Sequence, residues 1–231
     1  MKRCVRYFLL TILVAALAAC STSQTKPSRA ATSTAYSGFL QDYALLRADP
    51  ADPGYLHYVA PGAQASQYRK FIVDDPVVAL NTGGEYVSLD PAQVASMSAY
   101  YKSRMTAALA QHYQVVTAPG PGVAQVRVAV VGMVEVQPQL KARDLVPLKA
   151  LFDVGRRAVG KNPYVLRMSF EAEALDSESG RLIGETVDSR ESRNTVAGKS
   201  ARPSGEQVHD LIDYWVARFV ARLDKANGFS P

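Results

Sequence analysis

Apolar residues recur every three or four positions in two stretches of the chain and every second position in several others, and the two spacings separate helices from strands. Over 88–113, Val94, Met97, Tyr101, Met105, Ala108 and His112 share one helical face, with Asp90 placed to cap and Pro91 at the first helical position. Over 204–228, Val208, Leu211, Ile212, Trp215, Phe219 and Leu223 form a second stripe. It is opened by a Ser204/Gln207 capping box and closed by Gly228. Alternation marks strands at 68–80, 114–117 and 124–136. In the last of these Val126, Val128 and Val130 face one side, Arg127 and Ala129 the other. Pro76 cannot donate to a ladder, so it marks an edge or bulge in the first. Residues 164–176 and 181–191 predict an antiparallel hairpin around Ser177-Glu178-Ser179-Gly180. Near the start, Phe39, Leu40, Tyr43 and Leu46 predict a short helix or turn over 36–47, and Asp49-Pro50 and Asp52-Pro53 then break regular structure. The order is β-α-β-β-(insert)-β-β-α. It predicts an α+β fold, a single mixed or antiparallel sheet covered on one face by two amphipathic helices.

The N-terminus follows another logic. Lys2, Arg3 and Arg6 precede an uncharged apolar run of 12 residues, Phe8 to Ala19, too short for a hydrocarbon core that takes about 20 residues to cross. This is the pattern of a secretory signal peptide. Its end, Leu17-Ala18-Ala19-Cys20, resembles the lipobox of bacterial lipoproteins. Residues 1–19 are then removed, and Cys20 becomes an acylated N-terminus. The resemblance further implies that Ser21, where Asp would retain an enterobacterial lipoprotein in the inner membrane, sends the chain to the outer membrane. Residues 20–35, rich in Ser, Thr and Ala, read as a flexible tether, and 36–231 as one periplasmic domain.

Charge changes the picture only after processing. The chain carries 26 Lys+Arg against 21 Asp+Glu. Three of the basic residues and none of the acidic ones lie before Cys20. The small surplus left gives no case for nucleic-acid binding. The insert 137–163 carries more than all of it, so the rest of the mature chain is slightly acidic. There Lys141, Arg143, Lys149, Arg156, Arg157 and Lys161 outnumber Asp144 and Asp153, and Leu145, Leu148, Phe152 and Val159 can share a helical face. Such a stretch can lie on an anionic membrane or dock a partner through Lys149, Arg156 and Arg157. The plainer alternative is a solvated helix packed on the domain.

Several segments together resemble the bacterial lipoprotein family known as domain of unknown function 3313. They are Ser37-Gly38-Phe39-Leu40 with Asp42-Tyr43; Tyr55-Leu56-His57-Tyr58-Val59; Tyr68-Arg69-Lys70 leading to Asp74-Asp75-Pro76-Val77; Pro119-Gly120-Pro121-Gly122 before Arg127-Val128-Ala129-Val130; and Glu171-Ala172-Glu173 through Asp176, Gly180 and Val187-Asp188-Ser189-Arg190. The likeness spans roughly 36–226, and no single motif decides it. It brings no activity with it. The topology is similar to sheet-plus-helix modules of periplasmic assembly and secretion lipoproteins.

Candidate chemistry is sparse. No phosphate loop, nucleophile elbow or zincin motif occurs, and two cysteines with three histidines do not make a thiolate zinc site. The sequence therefore calls for no metal, cofactor or catalytic residue. His209 with Asp213 reads as a solvated helix pair. Glu171 and Glu173 share a strand face and read as carboxylates turned to water, against Arg181 or Arg190 across the hairpin. Asp74 and Asp75 read as turn or bulge formers. Tyr36, Tyr43, Tyr55, Tyr58 and Tyr68 read as amphipathic pins for an irregular N-terminal arm, the alternative being a glycan or peptide groove. The expected function is a non-enzymatic outer-membrane lipoprotein presenting an interaction or assembly module to an envelope protein. The alternative is a hydrolase or ligand-binding protein directed at an envelope glycan or lipid.

Overall fold

The computed structural model describes residues 28–29, 36–78, 89–137, 163–197 and 203–229. Cys20, Ser21, Lys149, Arg156 and Arg157 lie outside the described residues, as does almost all of the insert. The strands are β1 (Ser28–Arg29), β2 (Arg47–Asp49), β3 (Asp52–Val59), β4 (Lys70–Val73), β5 (Val77–Val78), β6 (Gln114–Val115), β7 (Val123–Val136), β8 (Pro163–Asp176), β9 (Leu182–Glu191) and β10 (Val196–Ala197). The helices are α1 (Pro91–Leu109) and α2 (Gly205–Ala226). The strands form one mixed sheet in the order β2-β3-β9-β8-β7-β4-β6, with β1 on β9, β10 on β8 and β5 on β7. β4, β5 and β6 pair parallel, the rest antiparallel. The α+β class is therefore as the periodicity predicts.

The caps act where the sequence puts them. Asp90 accepts from Gln93 N while Gln93 returns to Asp90 N, and Ser204 and Gln207 make the same exchange. Each satisfies orphan backbone donors of a first turn. The β8–β9 hairpin turns at Gly180, whose φ of 68° favours glycine. Asp74-Asp75-Pro76 separates β4 from β5. There Gln125 donates to Asp74 (2.7 Å) and Lys102 to Asp75 (3.0 Å).

One reading of the N-terminal region needs correction. Asp49-Pro50 and Asp52-Pro53 are not the end of regular structure but the turn of a β2–β3 hairpin. The second proline falls at the start of β3, where a missing N–H costs little. The segment over 36–47 forms a short 3-10 turn, Tyr43–Leu45, as its spacing predicts. Ser28–Arg29, inside the stretch read as tether, pairs with Arg190 and Glu191 of β9.

Both helices lie on one face. There Phe71, Met97, Tyr101, Met105, Leu109, Val126, Val130, Met168, Leu211 and Trp215 form the main core. The opposite face carries a smaller cluster, Leu40, Leu46 and Val187, under the arm 36–46. That arm also covers the glutamates of β8. Glu171 is fully buried and accepts from Ser37 N (2.9 Å), Ser37 Oγ (2.7 Å) and Tyr43 Oη (2.6 Å). Glu173, 5% exposed, takes Arg127 at 2.5 Å. The two carboxylates are thus not turned to water, and the cation is Arg127 of β7, not Arg181 or Arg190. Burial raises the Glu173 carboxyl above its usual range, with Arg127 acting against it.

Candidate functional site

Strand alternation sends Phe170, Ala172 and Ala174 of β8 toward the helices, and pairing places Gly184 and Thr186 of β9 and His57 of β3 beside them. Alanine and glycine cannot fill the space below a helix that carries Trp215, Phe219 and Leu223. The result is a cavity of about 350 Å³ between α2 and the sheet, within the range of small-molecule sites. Gly184 has a second reason to be glycine, since a Cβ there would stand 2.8 Å from the Tyr58 carbonyl oxygen.

The walls are mostly apolar. Val126, Val128 and Val130 of β7 and Met97 and Met105 of α1 close one end, and Ile212, Trp215 and Phe219 of α2 form the roof. Trp215 packs on Phe170 with ring centroids 4.2 Å apart and donates from Nε1 to Asp188 at 3.1 Å. Burial raises the Asp188 carboxyl, opposed by Arg190, which donates at 2.8 Å.

The other end is polar. Arg218 and Arg222 lie over the Tyr55 ring, at 3.9 and 4.3 Å from its centroid. Arg218 pairs with Asp52 at 2.9 Å, Arg190 also pairs with Asp52, and Arg222 pairs with Asp49. Burial of Asp52 raises its carboxyl, but Arg190 and Arg218 together outweigh that and hold it low. His57 is held below its usual value, first by burial and then by Arg222, so its imidazole is neutral at pH 7. Four residues among those lining the cavity carry a buried polar atom with no hydrogen-bond partner: His57 Nδ1, Tyr101 Oη, Glu185 Oε1 and Arg218 Nε. Buried atoms of this kind cost free energy until something satisfies them.

The tyrosines divide between the two readings given above. Tyr36 and Tyr43 stack at 4.1 Å and pin the arm. Tyr68 donates to Asp176 at 3.1 Å yet also lines the cavity, as Tyr55 does. His209 does not pair with Asp213. It stacks on Tyr100 at 3.6 Å, while Asp213 accepts from Tyr100 Oη (3.0 Å) and Arg104 (2.7 Å), which joins α1 to α2. Among the described residues no cluster of metal-ligating side chains occurs and no helix is long and apolar enough to cross a membrane. The periodicity of the chain does not announce the cavity. Its only sequence signal is small residues at Ala172, Ala174 and Gly184 where a strand under a helix usually carries larger ones.

The chain is 24% identical over 200 residues, 86% of each protein, to the uncharacterized lipoprotein YdcL of Escherichia coli K12. Among solved structures it is similar to a PelC dodecamer from Paraburkholderia phytofirmans, with 11% identity and a TM-score of 0.32 over 77% of this chain and 98% of that one. It is also similar to lipoprotein GNA1162 from Neisseria meningitidis, with 14% identity and a TM-score of 0.33 over 68% and 98%. The model of a protein family of unknown function, DUF3313, matches residues 35–219, and the chain belongs to that family.

Proposed function

We propose that this is a lipid-anchored, non-enzymatic protein of the outer membrane's periplasmic face, and that its domain holds a small apolar molecule without transforming it. The observation that carries the binding part is the cavity beneath α2, whose walls are apolar but for a few unsatisfied polar atoms. Such a combination is typical of sites that retain a ligand. Catalysis would need a nucleophile beside a base, or two carboxylates converging on one space. Glu171 is occupied by Ser37 and Tyr43, and Glu173, though among the residues lining the cavity, is occupied by Arg127. An assembly module fits less well. The large apolar residues exposed among those described, Tyr36, Val59 and Val77, are scattered, and the edge strands β2 and β6 are only three and two residues long.

Anchoring rests on the lipobox-like Leu17-Ala18-Ala19-Cys20 and on the lipoprotein relative. Cys20→Ser is expected to abolish incorporation of a labelled fatty acid and to release the chain from membranes. Unchanged labelling overturns the anchor. Organic extraction of the purified chain followed by mass spectrometry is expected to yield an amphiphile near one per chain. Its absence, together with no response to added amphiphiles, overturns the binding reading.

A further inference from the structure

We propose that the cavity under α2 takes an acyl chain, with the acceptor oxygens of its head group placed against Arg218 and His57. The proposal rests on the binding reading above and adds the ligand's class and direction.

Shape argues for an acyl chain. The lining residues come from five adjacent strands, β3, β9, β8, β7 and β4, through His57, Thr186, Ala172, Val128 and Phe71. Four interstrand steps of about 4.8 Å make a length of about 19 Å. Spread over that length, a volume of about 350 Å³ makes an elongated slot rather than a round chamber, the shape an extended alkyl chain fills. A peptide segment would bring backbone N–H and C=O groups that these walls cannot satisfy, whereas methylenes ask for nothing.

Direction follows from the polar atoms. Val59, 61% exposed, and Arg222 stand where the cavity meets solvent. His57, Arg218 and Tyr55 stand beside them. The guanidiniums of Arg190, Arg218 and Arg222 are already matched by Asp188, Asp52 and Asp49. What this end lacks is therefore not a counter-charge but an acceptor, because Arg218 Nε–H is buried and gives its proton to nothing. A carboxylate, ester or hydroxyl oxygen supplies it, and a quaternary ammonium head does not.

The test uses the full chain carrying Cys20→Ser, so that no acyl chain of its own competes. Trp215, the only tryptophan, lines the cavity and reports occupancy by its emission. Laurate, monolaurin and dodecyltrimethylammonium are titrated below their micelle concentrations. Laurate and monolaurin are expected to bind at least tenfold more tightly than the ammonium. Arg218→Lys, which keeps the charge for Asp52 but removes Nε–H, is expected to erase that difference. Equal affinities in the parent chain, or a difference that survives Arg218→Lys, overturn the head-group assignment and leave the cavity reading standing. The double variant Ala172→Leu/Ala174→Leu fills the space and is expected to abolish all three responses. Binding that survives the filling overturns the cavity reading itself. Should the double variant not fold by circular dichroism, Ala174→Val, a smaller fill, is expected to weaken the three probes alike. No weakening then has the same meaning.

Discussion

The two faces of the sheet, built from alternate residues of the same strands, are covered by opposite means. Toward the helices β8 presents Phe170, Ala172 and Ala174. Toward the arm it presents Glu171 and Glu173. The usual expectation is inverted, because both glutamates are buried while both alanines keep partial exposure, to the cavity. The helix face is large, held by apolar area, and underfilled. The arm face is small, with few apolar anchors, and held by hydrogen bonds to carboxylates. Burial alone therefore does not say what holds an element down. On one side it is area, which tolerates a void. On the other it is stoichiometric pairing, which does not.

The largest expected effect breaks the helix face. Trp215→Ala removes the ring that packs on Phe170 and the donor to Asp188. It is expected to cost about 3–5 kcal/mol, read by circular dichroism in denaturant because the only tryptophan is gone. A shift below about 1 kcal/mol would mean that α2 is not held by this stripe.

Next is the arm. Glu171→Ala leaves Ser37 and Tyr43 without their acceptor and is expected to cost about 2–3 kcal/mol. Hydrogen exchange should rise at 36–46 and stay unchanged in α1 and α2. Loosening of both faces together would show that the two covers are not independent.

A smaller change sharpens the contrast from within the cavity. Tyr101→Phe removes a hydroxyl that is buried without a partner, in a phenol whose ionisation burial pushes far up. It is expected to stabilise the ligand-free chain by about 1 kcal/mol in thermal melts. Destabilisation would show that the hydroxyl is satisfied in solution.

The smallest effect depends on pH. Burial, and then Glu173 and Asp42, hold the Glu185 carboxyl above its ordinary 4.5. The folded state thus binds this proton more tightly than the unfolded chain does, so Glu185 favours folding at low pH and loses that contribution as pH rises through its folded value. Glu185→Gln, which mimics the protonated form, is expected to raise the melting temperature at pH 7, with the gain fading as pH falls toward 4.5. A gain independent of pH would rule out the ionisation as its cause.

Much of this architecture is legible in the residues. Asp90-Pro91 and Ser204/Gln207 announce helices because capping is local chemistry, and Gly180 announces a hairpin because only its φ fits. What escapes is nonlocal. Nothing in Glu171 or its neighbours says that Ser37 and Tyr43, more than a hundred residues earlier, will cover that face. Pro50 and Pro53 read as breakers because a turn and an interruption share residue types. The cavity escapes for a third reason. It is made by what Ala172, Ala174 and Gly184 do not fill, and a missing side chain leaves no motif.

The pairing of Ser28–Arg29 with β9 has a consequence for height. A domain tethered by the fifteen residues 21–35 could ride about 50 Å from its attachment point. With Ser28 moored to Glu191, only seven residues separate Cys20 from the sheet, and seven residues reach at most about 25 Å. A chain held by Cys20 would hang close beneath the bilayer, with the β1 end of β9 nearest the surface. Were Cys20 the anchor, so short a leash would limit how far the domain could turn over relative to the membrane.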